Sequence, residues 1–171
     1  PVLPAKRFLV HDRVYDAFVE SLVARVEAMT VGNGLAQPCP DLGPVIDADR
    51  VEAVRSLMDE ALSLGATRLT RETSLPDYGT YVSPALLTDV SDSSRLATEE
   101  VFGPVAAVFR FQHDHEALHR ANATEMGLAG YVWSRDVSRC WTMAERREAG
   151  IVGVKTALPP VPFAPMGGVK R

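Results

Sequence analysis

The chain has 171 residues, 46% of them hydrophobic and 23% charged, with a formal net charge of -4. That length suits one domain with at most a short appendage, and the acidic balance gives a nucleic acid nothing to bind. No apolar run approaches the ~20 residues that a membrane-spanning helix needs, so no membrane partner is expected.

The chain opens at Pro1 and closes at Val169-Lys170-Arg171, just after a Gly-Gly pair. Neither end reads as a natural domain edge, and the expectation is a piece of a longer protein. Cys39 and Cys140 stand far apart in different contexts. They are read as free thiols in a reducing compartment, the cytoplasm, rather than as a disulfide.

In chain order, residues 6–10 read as a strand. A helix follows over about residues 13–29, with Val14, Phe18, Leu22, Val26 and Met29 as its apolar stripe at three- and four-residue steps. Val31-Gly32-Asn33-Gly34 ends it, and the proline-rich residues 36–44 form a loop. Asp47 caps a second helix that runs to about Leu64, with Val51, Val54, Met58, Ala61 and Leu62 inward and Gly65 as its stop. Residues 66–70 form a strand, and residues 80–82 and 85–88 are extended pieces around Pro84.

Residues 105–111 have too few polar side chains for a half-exposed strand and read as one buried on both faces. Asp114 caps a short helix to about Asn122. Residues 130–134 form a strand, Asp136 caps a helix over 137–148, and residues 150–154 form the last strand. Strand, helix, strand, helix, strand with short connections is the pattern of βαβ units on a largely parallel sheet.

His115-Glu116-Ala117-Leu118-His119 matches HExxH, the pattern by which a zinc hydrolase places two metal-binding histidines and a general base on one helix. Ala117, Leu118 and Ala121 define the core-facing side here. At about 100° per residue, His115 and His119 then point away from it. The helix is short and no third ligand is evident, so no metal is expected. Cys39 has no neighbouring base in sequence, Cys140 falls within an amphipathic helix beside Trp141, and no phosphate-cradling glycine motif is present.

The segment Thr98-Glu99-Glu100-Val101-Phe102-Gly103-Pro104 joins two carboxylates, an aromatic and a Gly-Pro break at the mouth of the buried strand. That composition suits a ligand platform. It also belongs to an ordered series. Val31-Gly32-Asn33-Gly34, Gly43-Pro44-Val45-Ile46, residues 83–90, residues 99–104 as E-E-x-F-G-P, Asn122-Ala123-Thr124-Glu125-Met126-Gly127-Leu128-Ala129 and Pro165-Met166-Gly167-Gly168-Val169-Lys170 all resemble segments of the aldehyde dehydrogenase superfamily, in the family's order. Residues 149–154 resemble the succinate-semialdehyde branch.

The resemblance implies an α/β fold: a three-layer α/β/α catalytic domain with a largely parallel sheet. It occupies residues 1–171, without the family's cofactor-binding domain or oligomerisation tail. It implies oxidation of a small-molecule aldehyde, succinate semialdehyde being one candidate, to a carboxylic acid. A cysteine thiolate attacks the aldehyde, hydride passes to NAD or NADP, and water releases the product. Glu100 would hold the nicotinamide ribose, Phe102 would pack near the nicotinamide, and Pro160 and Met166 would line the aldehyde tunnel.

The departures are specific. Val2 falls at the position of the nucleophilic cysteine, so no catalytic residue is present and the chain alone is expected to be inactive. A non-catalytic relative is the alternative that Val2 raises. Lys155 stands where the family usually has Asn, and Met166 where it usually has Phe. Apolar surface left bare by the missing domain implies a homo-oligomer.

Overall fold

The computed structural model describes residues 5–158 and 163–170. They divide into two units, one spanning Lys6–Arg110 and the other built mainly from residues 111–171.

The first unit holds β1 (Arg7–His11), α1 (Asp12–Glu27), α2 (Ala48–Ser63), β2 (Thr67–Arg68), β3 (Ala85–Thr88), α3 (Arg95–Thr98) and most of β4 (Val105–Phe111). Its sheet runs β1-β4-β3-β2. β3 and β4 are parallel, with Ala85 opposite Val105 and Leu87 opposite Ala107. β2 is antiparallel to β3.

All of β3 is buried. Successive side chains of a strand face opposite ways, so such a strand needs cover on both sides. Two apolar clusters supply it. Leu86, Val108, Val10, Ala106 and Phe8 pack with Tyr15, Phe18, Val19, Leu22 and Val23 of α1. Ala85, Leu87, Val105, Ala107, Phe109 and Leu9 pack with Val54, Leu57, Ala61 and Met58 of α2. Neighbouring residues of each strand thus go to different helices, which makes this unit three layers, α/β/α, as expected.

The helix faces differ in detail from the expected stripes. On α1 the inward set is Tyr15, Phe18, Val19, Leu22 and Val23, while Val14 is 56% exposed. Tyr15 is drawn inward and lies under Arg110, whose guanidinium carbon is 3.9 Å from the ring centroid. Arg110 in turn pairs with Asp12 and Asp16 of α1. On α2, Leu57 is buried and Leu62 is exposed.

Capping follows side-chain chemistry. His11 Nδ1 accepts from Arg13 N at 3.1 Å, and Asp47 accepts from Arg50 N at 2.8 Å. Gly65 takes φ 99 just beyond α2, where a Cβ would be strained.

The second unit holds α4 (Asp114–Asn122), β5 (Ala129–Val132), α5 (Val137–Arg146) and β6 (Ile151–Val154). β5 and β6 are parallel and form their own two-stranded sheet. The cap of α4 is His113, without a side-chain hydrogen bond. Asp114, expected as that cap, sits in the first turn and pairs with Arg139 Nε at 2.8 Å.

Asn122 ties the ends of α4 and α5 together. Its Oδ1 accepts from Arg147 Nη1 at 2.7 Å and Glu148 N at 3.0 Å, and its Nδ2 donates to Arg146 O at 2.9 Å. Lys170 Nζ donates to the carbonyls of Asn122 and Thr124 at 2.7 and 3.1 Å. It also pairs with Glu148 Oε2 at 2.5 Å. A cation at these C-terminal carbonyls meets groups that the helix leaves unpaired.

Lys155 has φ 55, in the left-handed region. Asn tolerates that region better than Lys does, which gives a backbone reason for the amide expected at this position. Lys155→Asn should therefore raise stability by about 0.5 kcal/mol, and Lys155→Val lower it by about 1 kcal/mol. Urea unfolding midpoints of the two variants measure the difference.

The hydrogen bond from Lys170 is the main cause holding the Glu148 carboxyl below its ordinary value of 4.5. A depressed folded value means that the contribution of Glu148 is complete above about 4.5 and fades as pH falls through the folded value. Glu148→Gln should lower the melting temperature at neutral pH and flatten its decline as pH falls below about 5. An unchanged acid limb in differential scanning fluorimetry would contradict this.

Candidate functional site

Residues 99–104 run from the end of α3 into β4. α3 is anchored to α2: Ser94 Oγ donates to Glu60 Oε2 at 2.8 Å, and Arg95 N donates to Glu60 Oε1 at 3.3 Å. Ser94 is fully buried, and its Oγ also accepts from Leu96 N at 3.2 Å to start the short helix.

At the far end of the segment, Ala85 N donates to Pro104 O at 2.9 Å, where the β3–β4 ladder begins. Gly103 lies against α2 so closely that a Cβ there would fall 2.6 Å from Val54 Cγ2. Val54 is 1% exposed, so it has little room to yield.

The two carboxylates of the segment diverge. Glu99 makes a two-pronged bond to Arg95, with Nε and Nη2 donating at 2.9 and 3.1 Å. That bond is the main cause holding the Glu99 carboxyl below its ordinary range. Glu100 accepts a single bond on Oε1, from Lys6 Nζ at 2.6 Å. Its Oε2 has no partner among the described residues.

Phe102 is 57% exposed. Lys6 Nζ lies 4.8 Å and the Arg50 guanidinium carbon 5.1 Å from its ring centroid, both within cation–π range. Lys6 comes from just before β1 and Arg50 from the first turn of α2.

The four side chains therefore make one cluster: an open carboxylate oxygen, an exposed ring and two cations. A carboxylate oxygen accepts hydroxyl hydrogens, a ring face accepts a flat aromatic, and a cation beside a carboxylate orients it. These groups fit a nicotinamide dinucleotide. Glu100 and Phe102 were legible in the segment itself. Lys6 and Arg50 were not singled out in the sequence.

Met166 belongs to the second unit and is 50% exposed. Val2 and Pro160 fall outside the described residues. On α4, His115 and His119 are exposed, and the imidazole of His115 stacks on His113 with centroids 5.5 Å apart. Glu116 accepts from Gln112 N at 3.1 Å and pairs with Arg120 at 3.6 Å. Both histidines border an open groove of about 830 Å³ between α4 and α5, which the Asp114–Arg139 pair crosses. Among the described residues, no group of three His, Cys, Asp or Glu side chains is placed to hold a metal ion. Cys39 and Cys140 are both free thiols.

Comparison with known proteins gives the cluster a context. The model of the aldehyde dehydrogenase family matches residues 3–171. The non-phosphorylating aspartate-semialdehyde dehydrogenase of Halomonas elongata is 42% identical over 172 residues, covering 99% of this chain and 34% of that protein. The chain thus spans about a third of the length of the curated relatives it matches.

Among solved structures, succinate-semialdehyde dehydrogenase from Burkholderia pseudomallei superposes with a TM-score of 0.89 at 42% identity, over 96% of this chain and 34% of that one. Betaine aldehyde dehydrogenase from Staphylococcus aureus, solved in complex with NAD+, superposes with a TM-score of 0.88 at 34% identity, over 96% of this chain and 33% of that one. With a family match across nearly its whole length and the same α/β fold in solved members, this chain belongs to the aldehyde dehydrogenase family.

Proposed function

We propose that residues 1–171 are the catalytic-domain portion of an NAD- or NADP-dependent aldehyde dehydrogenase, acting on an aldehyde that also carries a carboxylate, with succinate semialdehyde the first candidate. The observation that carries the dinucleotide reading is the open Oε2 of Glu100 beside the exposed ring of Phe102. In this reading Glu100 accepts from the nicotinamide ribose hydroxyls and Phe102 flanks the nicotinamide. A dinucleotide bound there would supply the hydride acceptor.

The substrate class draws on relatives whose names specify aspartate semialdehyde and succinate semialdehyde, both aldehydes with a carboxylate. Pro160 and Met166 are assigned to the wall of the aldehyde channel. An unbranched thioether such as that of Met166 adapts to varied apolar shapes.

Val2 is assigned to the position where the family carries its nucleophile. Valine offers no attacking atom, so the 171-residue chain alone should not form the covalent adduct that this chemistry needs. The same residue favours a second reading, a relative that binds the dinucleotide without turnover.

The full-length protein is further proposed to be cytoplasmic, consistent with two free thiols, and to assemble as a homo-oligomer. Trp133, Val137 and Trp141 leave apolar surface exposed. Sedimentation should give a mass above one subunit, and a monodisperse monomer would refute the assembly.

Binding of NADH and NADPH to the full-length protein, followed by nicotinamide fluorescence, tests the site. Glu100→Gln should weaken binding by about tenfold, the scale of one hydrogen bond to a charged group. Unchanged affinity would remove Glu100 from the site. NADH formation from succinate semialdehyde by the full-length protein separates the catalytic reading from the second, in which the dinucleotide binds and no NADH appears.

A further inference from the structure

Lys6 and Glu100 are 94 residues apart in sequence, yet their charged groups meet at 2.6 Å. The backbone beneath Lys6 is fixed, because its carbonyl accepts from Ala107 N of β4 at 3.1 Å. The backbone beneath Glu100 is fixed on both sides, by α3 on α2 and by Gly103 against Val54. The ion pair therefore closes between two rigid supports, and it uses only one of the two carboxylate oxygens.

A glutamate side chain loses rotamer freedom when it is ordered. If a neighbour has ordered it beforehand, a ligand does not bear that loss. A ligand that covers Glu100 also strips water from its charge, and an adjacent cation offsets that penalty.

We propose that Lys6 is a positioning residue for the dinucleotide site: its ammonium holds Glu100 Oε1, so that Oε2 is presented to the ribose hydroxyls in a fixed direction. This rests on the reading of Glu100 given above. Lys6 acts through Glu100, and its effect on binding should vanish when the carboxylate is gone.

The test is a double-mutant cycle on NADH and NADPH affinity in the full-length protein, with the melting temperature recorded for each variant. Lys6→Met should weaken binding about threefold to tenfold, the scale of coupling between directly contacting charged groups. In a Glu100→Gln background the same change should alter affinity by less than about twofold. Lys6→Arg, which keeps a donor in reach, should restore most of the affinity. Equal weakening by Lys6→Met in both backgrounds would overturn the proposal and make Lys6 a direct or merely structural contributor. Unaltered binding in Lys6→Met beside weakened binding in Glu100→Gln would overturn it while sparing the reading of Glu100. Unaltered binding in Glu100→Gln would defeat both.

Discussion

The parallel pairing of β3 with β4 is the constraint on which the first unit depends. Its register puts Leu86 and Val108 toward α1 and Leu87 and Ala107 toward α2. Neither face of these strands can be given to water without exposing large apolar side chains. The chain must therefore enter β4 from a turn that is itself anchored, and Pro104 O begins the ladder by accepting from Ala85 N. Gly103 is required just before it, because Val54 leaves no space for a Cβ. With that path fixed, Glu100 and Phe102 stay at the surface, where a ligand can reach them.

The same chemistry separates motif residues committed to structure from those left open to a ligand. Asn122 and Lys170 also lie in segments that resemble the family. Yet Asn122 directs its amide inward to Arg147, Glu148 and Arg146, and Lys170 directs its ammonium to two carbonyls and a carboxylate. Such groups close helix ends and have little capacity left for a ligand. Glu99 is similarly committed to Arg95. Within its segment Glu100 differs, since one oxygen is bonded and the other is open.

Much of this organisation was legible in the sequence because burial leaves a period. The strand over Val105–Phe111, the two long helices and the stop at Gly65 follow from composition and spacing. The helix faces were less legible. Both Val14 and Tyr15 fit a helical stripe, and the choice between them turns on Arg110, which is remote in sequence. α3 spans only Arg95–Thr98, too short to show a period, and it exists because Glu60 of α2 receives its first turn. The cap of α4 was displaced by one residue because Asp114 turns to Arg139. At the candidate site, the acidic-aromatic segment stands out in the sequence as a ligand platform, while the cations facing it come from two other elements and carry no local signal.

The Lys6–Glu100 pair also shows why stability is a poor guide to what such an interaction does. Both side chains keep contact with water, at 23% and 38% exposure, and pairs of this kind add at most about 1 kcal/mol to folding. A ligand lying over the pair changes the terms. For charges about 4 Å apart, the attraction is about 1 kcal/mol in bulk water and about 4 kcal/mol at the effective dielectric near a protein surface, and it strengthens further where a ligand excludes water. That added attraction under a ligand would counter the cost of drying the carboxylate. An ion pair that is weak in the free protein and stronger under a ligand contributes to affinity while remaining nearly silent in the fold. That is the behaviour expected of a side chain whose role is to aim another.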